Sequence, residues 1–228
     1  MKCKNPFKDL SRSELLIWIS SLIIVIFSFV LSTSDDILTL IASLIGATAL
    51  IFVAKGYVIG QILTVVFAVF YGIISYFFSY YGEMITYLGM TSPIAIMAVI
   101  SWIKNPYKDT AEVKVNNVSR KQLIIMFILS IIVTFVMYYI LKALCTANLL
   151  FSTISVTTSF LASYLTFLRS EYYALAYAAN DIVLIILWVL ASIDDASYIP
   201  MVVCFVIFLI NDSYGFINWQ RMKKRQNT

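Results

Sequence analysis

Residues 83–143 decide the fold: EMITYLGMTSPIAIMAVISWI (83–103), KNPYKDTAEVKVNNVSR (104–120) and KQLIIMFILSIIVTFVMYYILKA (121–143). Each apolar run has about the 20 residues that a helix needs to cross ~30 Å of hydrocarbon. The segment between them is basic and contains the turn formers Asn105-Pro106 and Asn116-Asn117. The sequence therefore predicts two membrane helices joined by a polar connection.

Six more apolar runs extend this pattern over the whole chain. They cover residues 14–33, 37–54, 57–80, 147–168, 172–192 and 198–219. Of all residues 61% are hydrophobic and 12% charged, whereas about 25% are charged in soluble domains. The first run is longer than the core of a signal peptide and lacks an Ala-x-Ala cleavage site, so we expect it to remain as a helix. The predicted fold class is an all-α polytopic membrane protein with eight transmembrane helices.

Positive charge lies on alternate connections between the runs. Fifteen of the sixteen Lys and Arg residues precede the first run, follow the last, or lie in the second, fourth and sixth connections, and only Lys142 is on the other side. Asp35, Asp36, Glu83 and the Asp194-Asp195 pair share the side of Lys142. Because short basic loops stay in the cytoplasm, both termini are predicted to be cytoplasmic. The net charge of +4 reflects these loops and does not indicate nucleic-acid binding.

Several kinds of functional site are disfavoured by what the sequence lacks. It has no histidine, and Cys3, Cys145 and Cys204 are far apart in the sequence. The commonest metal ligand and general base are therefore missing, and the cysteines have no metal-binding or disulfide spacing. No phosphate-binding glycine motif is present either. We expect neither an enzyme nor a bound cofactor or metal, and a transporter is favoured over a structural subunit or receptor.

The order of the helices indicates an internal repeat within one transmembrane domain, residues 1–228. Helices in 37–103 and 147–219 form two triplets, 121–143 is a connector, and 14–33 is an extra N-terminal helix. Each triplet has a basic residue at its first tight turn and a tryptophan near its end. A single connector makes both triplets enter the membrane from the same side. Such parallel repeats are a known transporter plan, with the substrate site between them.

Helix seven contains the strongest candidate site. Tyr173, Tyr177, Asn180, Asp181 and Trp188 lie within about a 100° arc of the helix. Asn180 lies ~13 Å from the cytoplasmic end, near the bilayer midplane. Hydrocarbon does not tolerate an unpartnered amide or carboxylate. We therefore predict that these five residues bind a small-molecule substrate, although any single aromatic ring is more often a packing or interfacial residue.

Helix eight and helix three add further candidates. Asn211, Asp212 and Tyr214 belong to a polar segment of helix eight, and Gln61 is the only amide on one stripe of helix three. We predict that these four residues also bind substrate, with Gln61 in the position that Asn180 fills in the second triplet. The alternative for Asn211 and Asp212 is a structural bond to the connector helix.

The polar and proline residues of helices six and four are expected to have mainly structural roles. The hydroxyl residues of helix six, between Ser152 and Ser159, are expected to be small packing residues that bond to their own backbone. Pro93, in the middle of helix four, frees a carbonyl group and is expected to kink the helix. The kink is interpreted either as a gate or as a static packing feature.

Four segments together resemble the PnuC family of bacterial vitamin transporters. They are Tyr172–Trp188, Asn211–Trp219, Gly60-Gln61 and Tyr81-Gly82-Glu83. The resemblance implies a three-plus-one-plus-three fold similar to that of SWEET transporters, with one additional N-terminal helix here. It also implies uptake of nicotinamide riboside through the bacterial cell membrane by facilitated diffusion, with trapping by a separate cytosolic kinase.

The resemblance supports membership of the family better than it supports the identity of the substrate. Riboside-carrying members typically have Trp-x-x-Trp-x-x-x-Asn on helix seven, where this chain has Tyr173, Ala176 and Asn180. Thiamine, riboflavin and deoxynucleosides are therefore alternative substrates. All of these ligands pair a flat ring with polar groups, which suits aromatic and amide side chains. Ion coupling stays open at this point, and the sequence allows a homo-oligomer.

Overall fold

The computed structural model describes residues 6–32, 37–77, 81–146 and 148–228. Within these ranges it contains eight helices that are long and apolar enough to cross a membrane. They are α1 Arg12–Leu31, α2 Ile37–Ala54, α3 Val58–Phe77, α4 Tyr81–Ile103, α5 Arg120–Ala143, α6 Leu149–Phe167, α7 Tyr173–Asp194 and α8 Ile199–Gln226. The predicted fold class is confirmed. Asp35, Asp36 and the ends of three predicted runs lie outside the described residues.

Two helices that follow polar segments begin with a capping box. Ser11 Oγ accepts a hydrogen bond from Glu14 N, and Glu14 Oε2 accepts one from Ser11 N (3.3 and 2.7 Å). Ser119 and Gln122 make the same pair of bonds at the start of α5. These bonds satisfy backbone groups that have no partner inside the helix. They explain why α1 begins two residues before the predicted start at residue 14.

Helix α4 differs from a regular helix in front of Pro93. Residues Thr86–Thr91 form a π-helical segment, in which Ser92 N donates to Tyr87 O. Proline has no N–H, and its ring collides with the carbonyl group four residues earlier. A π-helical segment accommodates this conflict by widening the turn. The helix therefore has a wider turn in front of Pro93, and the kink expected at this proline stays a prediction.

Helix α8 is longer than predicted. It continues past Trp219 to Gln226, because basic residues at a helix C-terminus interact favourably with the helix dipole. Two of these residues also have acidic partners: Lys223 pairs with Glu171 and Arg225 with Glu112. The apolar run ends at the membrane surface, but the helix does not.

Six helices form a closed ring. Along the chain α2 packs on α3, α3 on α4, α6 on α7 and α7 on α8, and the ring is completed by contacts of α4 with α6 and of α8 with α2. The first helix of each triplet therefore meets the last helix of the other. Helix α1 lies outside the ring against α2 and α8, and α5 lies outside it against α6. This arrangement is the one expected for two parallel triplets with a connector and an additional helix.

The tight turns after α2 and α6 have the same hydrogen bonds. Gly56 and Arg169 both adopt positive φ, at 70° and 57°. The shared bonds are Tyr57 N to Phe52 O and Ser170 N to Leu165 O, then Gly56 N to Val53 O and Arg169 N to Thr166 O. Both turns thus have the Schellman pattern. Gln61 follows Gly56 by five residues, whereas Asn180 follows Arg169 by eleven. The prediction that Gln61 and Asn180 occupy equivalent positions in the two triplets is therefore wrong.

A pair of tryptophans links the two triplets at the end of the bundle that contains these tight turns. Trp102 Nε1 donates to Thr166 O and Trp219 Nε1 to Val53 O, at 3.0 and 2.9 Å. Each accepting residue is the second-last residue of its helix. The two indole rings also touch, with centroids 5.4 Å apart. Both triplets are therefore fastened to each other by reciprocal bonds at one end of the bundle.

We call this end the basic face, because it holds the basic connections. The segment between α4 and α5 crosses it and bonds to both tight turns and to the end of α8. Val113 N donates to Gly56 O (2.8 Å), Asn116 N to Arg169 O (3.0 Å) and Val115 N to Gln226 Oε1 (2.8 Å). The opposite end, with Glu83 and Asp194-Asp195, is called the acidic face.

Candidate functional site

A cavity lies inside the ring of six helices. Its volume is about 70 Å³. Residues from α2, α3, α4, α6, α7 and α8 line it, so both triplets contribute. Its polar lining includes Gln61, Thr64, Thr91, Ser159, Ser163, Asn180, Asp181 and Asp212, and its aromatic lining Phe67, Tyr87, Tyr173, Tyr177, Phe205 and Phe208. A site between the repeats is the arrangement expected for a transporter.

Asn180 is fixed at this cavity by hydroxyl groups of α6. Its side chain is only 4% exposed, and its Oδ1 atom lies 2.8 Å from Thr158 Oγ1 and 3.0 Å from Ser159 Oγ. Ser155 Oγ is more distant, at 3.5 Å. With Oδ1 accepting from hydroxyls, the amide NH₂ group is available as a donor toward a ligand acceptor. Thr153, Thr157 and Thr158 also bond to carbonyl groups of their own helix, as expected. The contacts of Thr158 and Ser159 with Asn180 are a further role that was not predicted.

The two predicted tyrosines of α7 are arranged edge to face. Their ring centroids are 6.2 Å apart, and the rings are inclined by 76°. Tyr173 also packs against Trp219 at 4.8 Å, and Tyr177 Oη lies 3.2 Å from Ser163 Oγ. Gly215 allows this packing, because a Cβ atom there would lie 3.1 Å from the Tyr173 hydroxyl. Both rings line the cavity. Their faces are apolar, and their hydroxyl groups are polar.

Two acidic residues from different helices meet at the cavity. Asp181 and Asp212 are each 3% exposed, and both line the central cavity. Among the described residues, Asp181 Oδ2 has no hydrogen-bond partner. The pair therefore offers carboxyl oxygen atoms that can accept hydrogen bonds from a ligand.

Thr91 is a site residue that the sequence did not single out as a ligand contact. It lines the cavity, and no described residue lies in hydrogen-bonding geometry with its buried Oγ1 atom. Its position at the end of the π-helical segment was the available signal, since such segments are frequent at functional sites. Gln61, 2% exposed, faces the same cavity from α3.

The remaining candidates of α8 lie on a different face of that helix. Asn211 Nδ2 donates to Ser21 Oγ (2.9 Å) on α1 and to Ile207 O (2.8 Å). Tyr214 Oη donates to Glu14 Oε1 (2.9 Å), and Glu14 also pairs with Lys55. Asn211 therefore bonds to the N-terminal helix and not to the connector helix, which corrects the alternative considered above. Neither residue lines the cavity around Asn180, and their predicted ligand contacts stay predictions.

Trp188 lies nearer the acidic face than the other candidates of α7. Its ring is 5.5 Å from that of Tyr198, and it lines a separate cavity together with Glu83. The structure thus brings together Gln61, Tyr173, Tyr177, Asn180, Asp181 and Asp212, and it places Trp188, Asn211 and Tyr214 elsewhere.

The arrangement of polar and aromatic groups suits reversible binding of a flat, polar ligand. Aromatic faces can stack on a heterocycle while the amides and carboxyls bond to its polar groups. The volume of about 70 Å³ is below the ~300 Å³ of common ligand pockets. Admission of such a ligand therefore requires the surrounding helices or side chains to move.

Comparison with known proteins agrees with this architecture. A nicotinamide riboside transporter, PnuC, from Neisseria mucosa is 29% identical over 199 residues, which cover 85% of this chain and 75% of that protein. A crystal structure of the vitamin B3 transporter PnuC matches with a TM-score of 0.82 and 26% identity, covering 95% of this chain and 94% of the other. The family described as nicotinamide mononucleotide transporter matches residues 36–221. The chain therefore belongs to this family, the PnuC family of multi-pass bacterial membrane transporters, and it is not an enzyme.

Proposed function

We infer that this protein carries nicotinamide riboside across the bacterial cell membrane by facilitated diffusion. The observation that carries the proposal is the cavity between the triplets, where Asn180, Gln61 and the Asp181–Asp212 pair accompany aromatic rings. A pyridinium ring is flat and cationic, so it can stack on tyrosine faces and be attracted by a carboxylate. The relatives described above are named for the same substrate.

Trapping by phosphorylation would make uptake productive without ion coupling. A cytosolic kinase that phosphorylates the riboside keeps its free internal concentration low, so the gradient of unmodified substrate continues to point inward. The ring of helices holds one carboxyl pair at the site and no histidine occurs anywhere in the sequence. A transport cycle that moves only the substrate fits this set of groups.

Thiamine, riboflavin and deoxynucleosides are retained as alternative substrates because of the residues on α7. Tyr173 and Ala176 stand where riboside-carrying members typically have tryptophans. Tyr173 lines the cavity and brings a hydroxyl group, whereas Ala176 is not among the residues that line it. The hydroxyl group favours a ligand with more polar groups.

We expect unmodified substrate to equalise across the membrane of proteoliposomes. Radiolabelled nicotinamide riboside should reach the same concentration inside and outside, with or without a proton or sodium gradient. Thiamine, riboflavin and thymidine should compete less well than unlabelled nicotinamide riboside. Absence of specific uptake of all four compounds contradicts the transport proposal, and stronger competition by one of the other three reassigns the substrate.

Sustained accumulation in the same vesicles would show coupling to an ion gradient. Asp181→Asn and Asp212→Asn then identify the coupled group, because each change keeps the shape of the side chain and removes its titration. If either variant loses accumulation but keeps equilibrium exchange, the protein is a symporter and facilitated diffusion is refuted.

The proposed topology places the basic face in the cytoplasm. In a cysteine-free background, a cysteine at Ala196 should react in intact cells with a maleimide that cannot cross membranes. A cysteine at Asn117, on the segment that crosses the basic face, should react only after the cells are opened. The reverse pattern contradicts the proposed orientation, which rests on the distribution of Lys and Arg.

A further inference from the structure

Three cavities adjoin one another between the acidic face and the middle of the bundle. The outer chamber, with Tyr81, Glu83, Cys145 and Trp188 in its wall, has a volume of about 280 Å³. A narrow space of about 30 Å³, which we call the neck, shares Glu83 with it. The neck in turn shares Tyr87 and Ser159 with the central cavity. The three cavities therefore follow one another from the acidic face to Asn180, with the shared side chains between them.

Glu83 stands at the junction of the outer chamber and the neck. Its Oε2 atom is buried and has no hydrogen-bond partner among the described residues. The Tyr71 hydroxyl lies nearby, yet it makes no hydrogen bond in the described part of the chain either. A buried carboxyl group without a bonded partner is costly in its charged form unless a proton or a bound cation neutralises it.

The surroundings of Glu83 contain no basic side chain that neutralises it. Within residues 6–32, 37–77, 81–146 and 148–228, the three salt bridges involve Glu14, Glu171 and Glu112. Lys142, the single base on this side of the chain, has its Nζ atom 6.0 Å from the centre of the Tyr138 ring. Glu83 therefore remains available to a cation that arrives from the acidic face.

Aromatic side chains complete the outer chamber. Trp188 and Tyr81 line it together with Glu83, and indole and phenol faces attract cations and stack on flat rings. Its volume is about four times that of the central cavity and close to the ~300 Å³ lower limit of common ligand pockets. The chamber thus combines one carboxyl group, aromatic walls and enough space for a single heterocycle.

We propose that the outer chamber is a separate binding site for a flat aromatic cation, with Glu83 as the counter-ion. The ligand binds there before it passes the neck toward Asn180, a step that rests on the proposed transport function. Binding in the chamber itself does not depend on that function. Asp194 and Asp195 lie at the same end of the bundle and do not line the chamber.

The alkylation rate of the Cys145 thiol can be used to measure binding in this chamber. Its thiol belongs to an exposed residue in the chamber wall, whereas Cys204 is buried. The experiment measures the rate at which a membrane-impermeant maleimide alkylates Cys145 in proteoliposomes, with Cys145→Ser as the background. The probes are 1-methylnicotinamide, an aromatic cation, and benzamide, an uncharged molecule of similar shape. We expect the cation to slow alkylation at concentrations at which benzamide has no effect.

The Glu83→Gln variant tests the counter-ion. It should raise the concentration of 1-methylnicotinamide that gives half-protection by about tenfold or more, the change expected on losing one charge-assisted contact. Protection is expressed relative to the unprotected rate of the same variant, since the substitution also changes the reactivity of the thiol. The matched control Asp194→Asn removes a carboxylate from the same face but outside the chamber, and it should leave protection unchanged.

Two results would overturn the outer site. One is equal protection by benzamide and the cation in the unmodified protein, a comparison that needs no variant. The other is unchanged protection in folded Glu83→Gln. The Asn180→Ala variant separates the two proposals, because it should reduce uptake while the cation still protects Cys145. If uptake is absent in the unmodified protein but protection depends on Glu83, the transport proposal fails and the outer site stands.

Discussion

Replacing Asn180 by alanine is expected to weaken substrate binding by roughly 5- to 150-fold. The range corresponds to the ~1–3 kcal/mol that loss of a buried hydrogen-bonding partner costs. Thr158 and Ser159 hold the amide oxygen at 2.8 and 3.0 Å, so the NH₂ group is positioned before a ligand arrives. Calorimetry on the purified protein with nicotinamide riboside measures the change in affinity.

Asn211→Ala is the matched control for this experiment. Asn211 is also a buried amide of the membrane interior, 1% exposed, and it bonds to Ser21 and Ile207. It does not line the central cavity. Its replacement should lower the thermal stability, because it removes the bonds to Ser21 and Ile207. An affinity within about twofold of the original value assigns Asn211 a structural role, and a larger loss supports its predicted ligand contact. Unchanged affinity in folded Asn180→Ala shows that Asn180 does not bind the substrate.

The predictability of the fold follows from the membrane. A segment in hydrocarbon must satisfy every backbone group internally, so a long apolar run has little alternative to a helix. The asymmetry of Lys and Arg then orders the connections. Less predictable were the helix ends in water, such as α8 beyond Trp219. There the length depends on pairs with Glu171 and Glu112, and these partners are distant in sequence.

The location of the site in the bundle was easier to predict than the set of residues that line it. Asn180 and Asp181 were recognised because polar groups at the midplane are costly. Trp188 lies on the same face of α7 but eight residues further on, which is ~12 Å along the axis. A helical projection shows the shared face and hides this axial distance, so it does not show that Trp188 lines a different cavity from Asn180. The ligand contact of Trp188 stays a prediction.

Helix α8 is a second case in which a helical projection does not identify the residues that line the cavity. Residues 211, 214 and 218 share one face, and residues 212, 215 and 219 share another. The first face bonds to Ser21, Glu14 and Ala54, while the second meets the cavity and α7. Both faces are polar in sequence, so only the neighbouring helices distinguish structural amides from site residues.

Replacing Trp219 by alanine is expected to lower the stability of the folded protein by about 3–5 kcal/mol, the usual cost for a large buried aromatic residue. Trp219 is completely buried, packs on Trp102 and Tyr173, and donates to Val53 O. Its loss removes one of the two reciprocal bonds between the triplets and leaves a cavity beneath the substrate site.

Thermal unfolding of the detergent-solubilised protein measures the effect, and three further variants test its cause. Trp219→Phe keeps most of the packing and should cost about 1 kcal/mol, because Val53 O also accepts from Gly56 N. Phe127→Ala, at a side chain of α5 that is 56% exposed, should have little effect. Trp102→Ala should resemble Trp219→Ala, and the double variant should lose less than the combined effects because the rings touch. If the stability losses of the two single variants add up in the double variant, or if Trp219→Ala has only a small effect, the tryptophan pair does not hold the two triplets together.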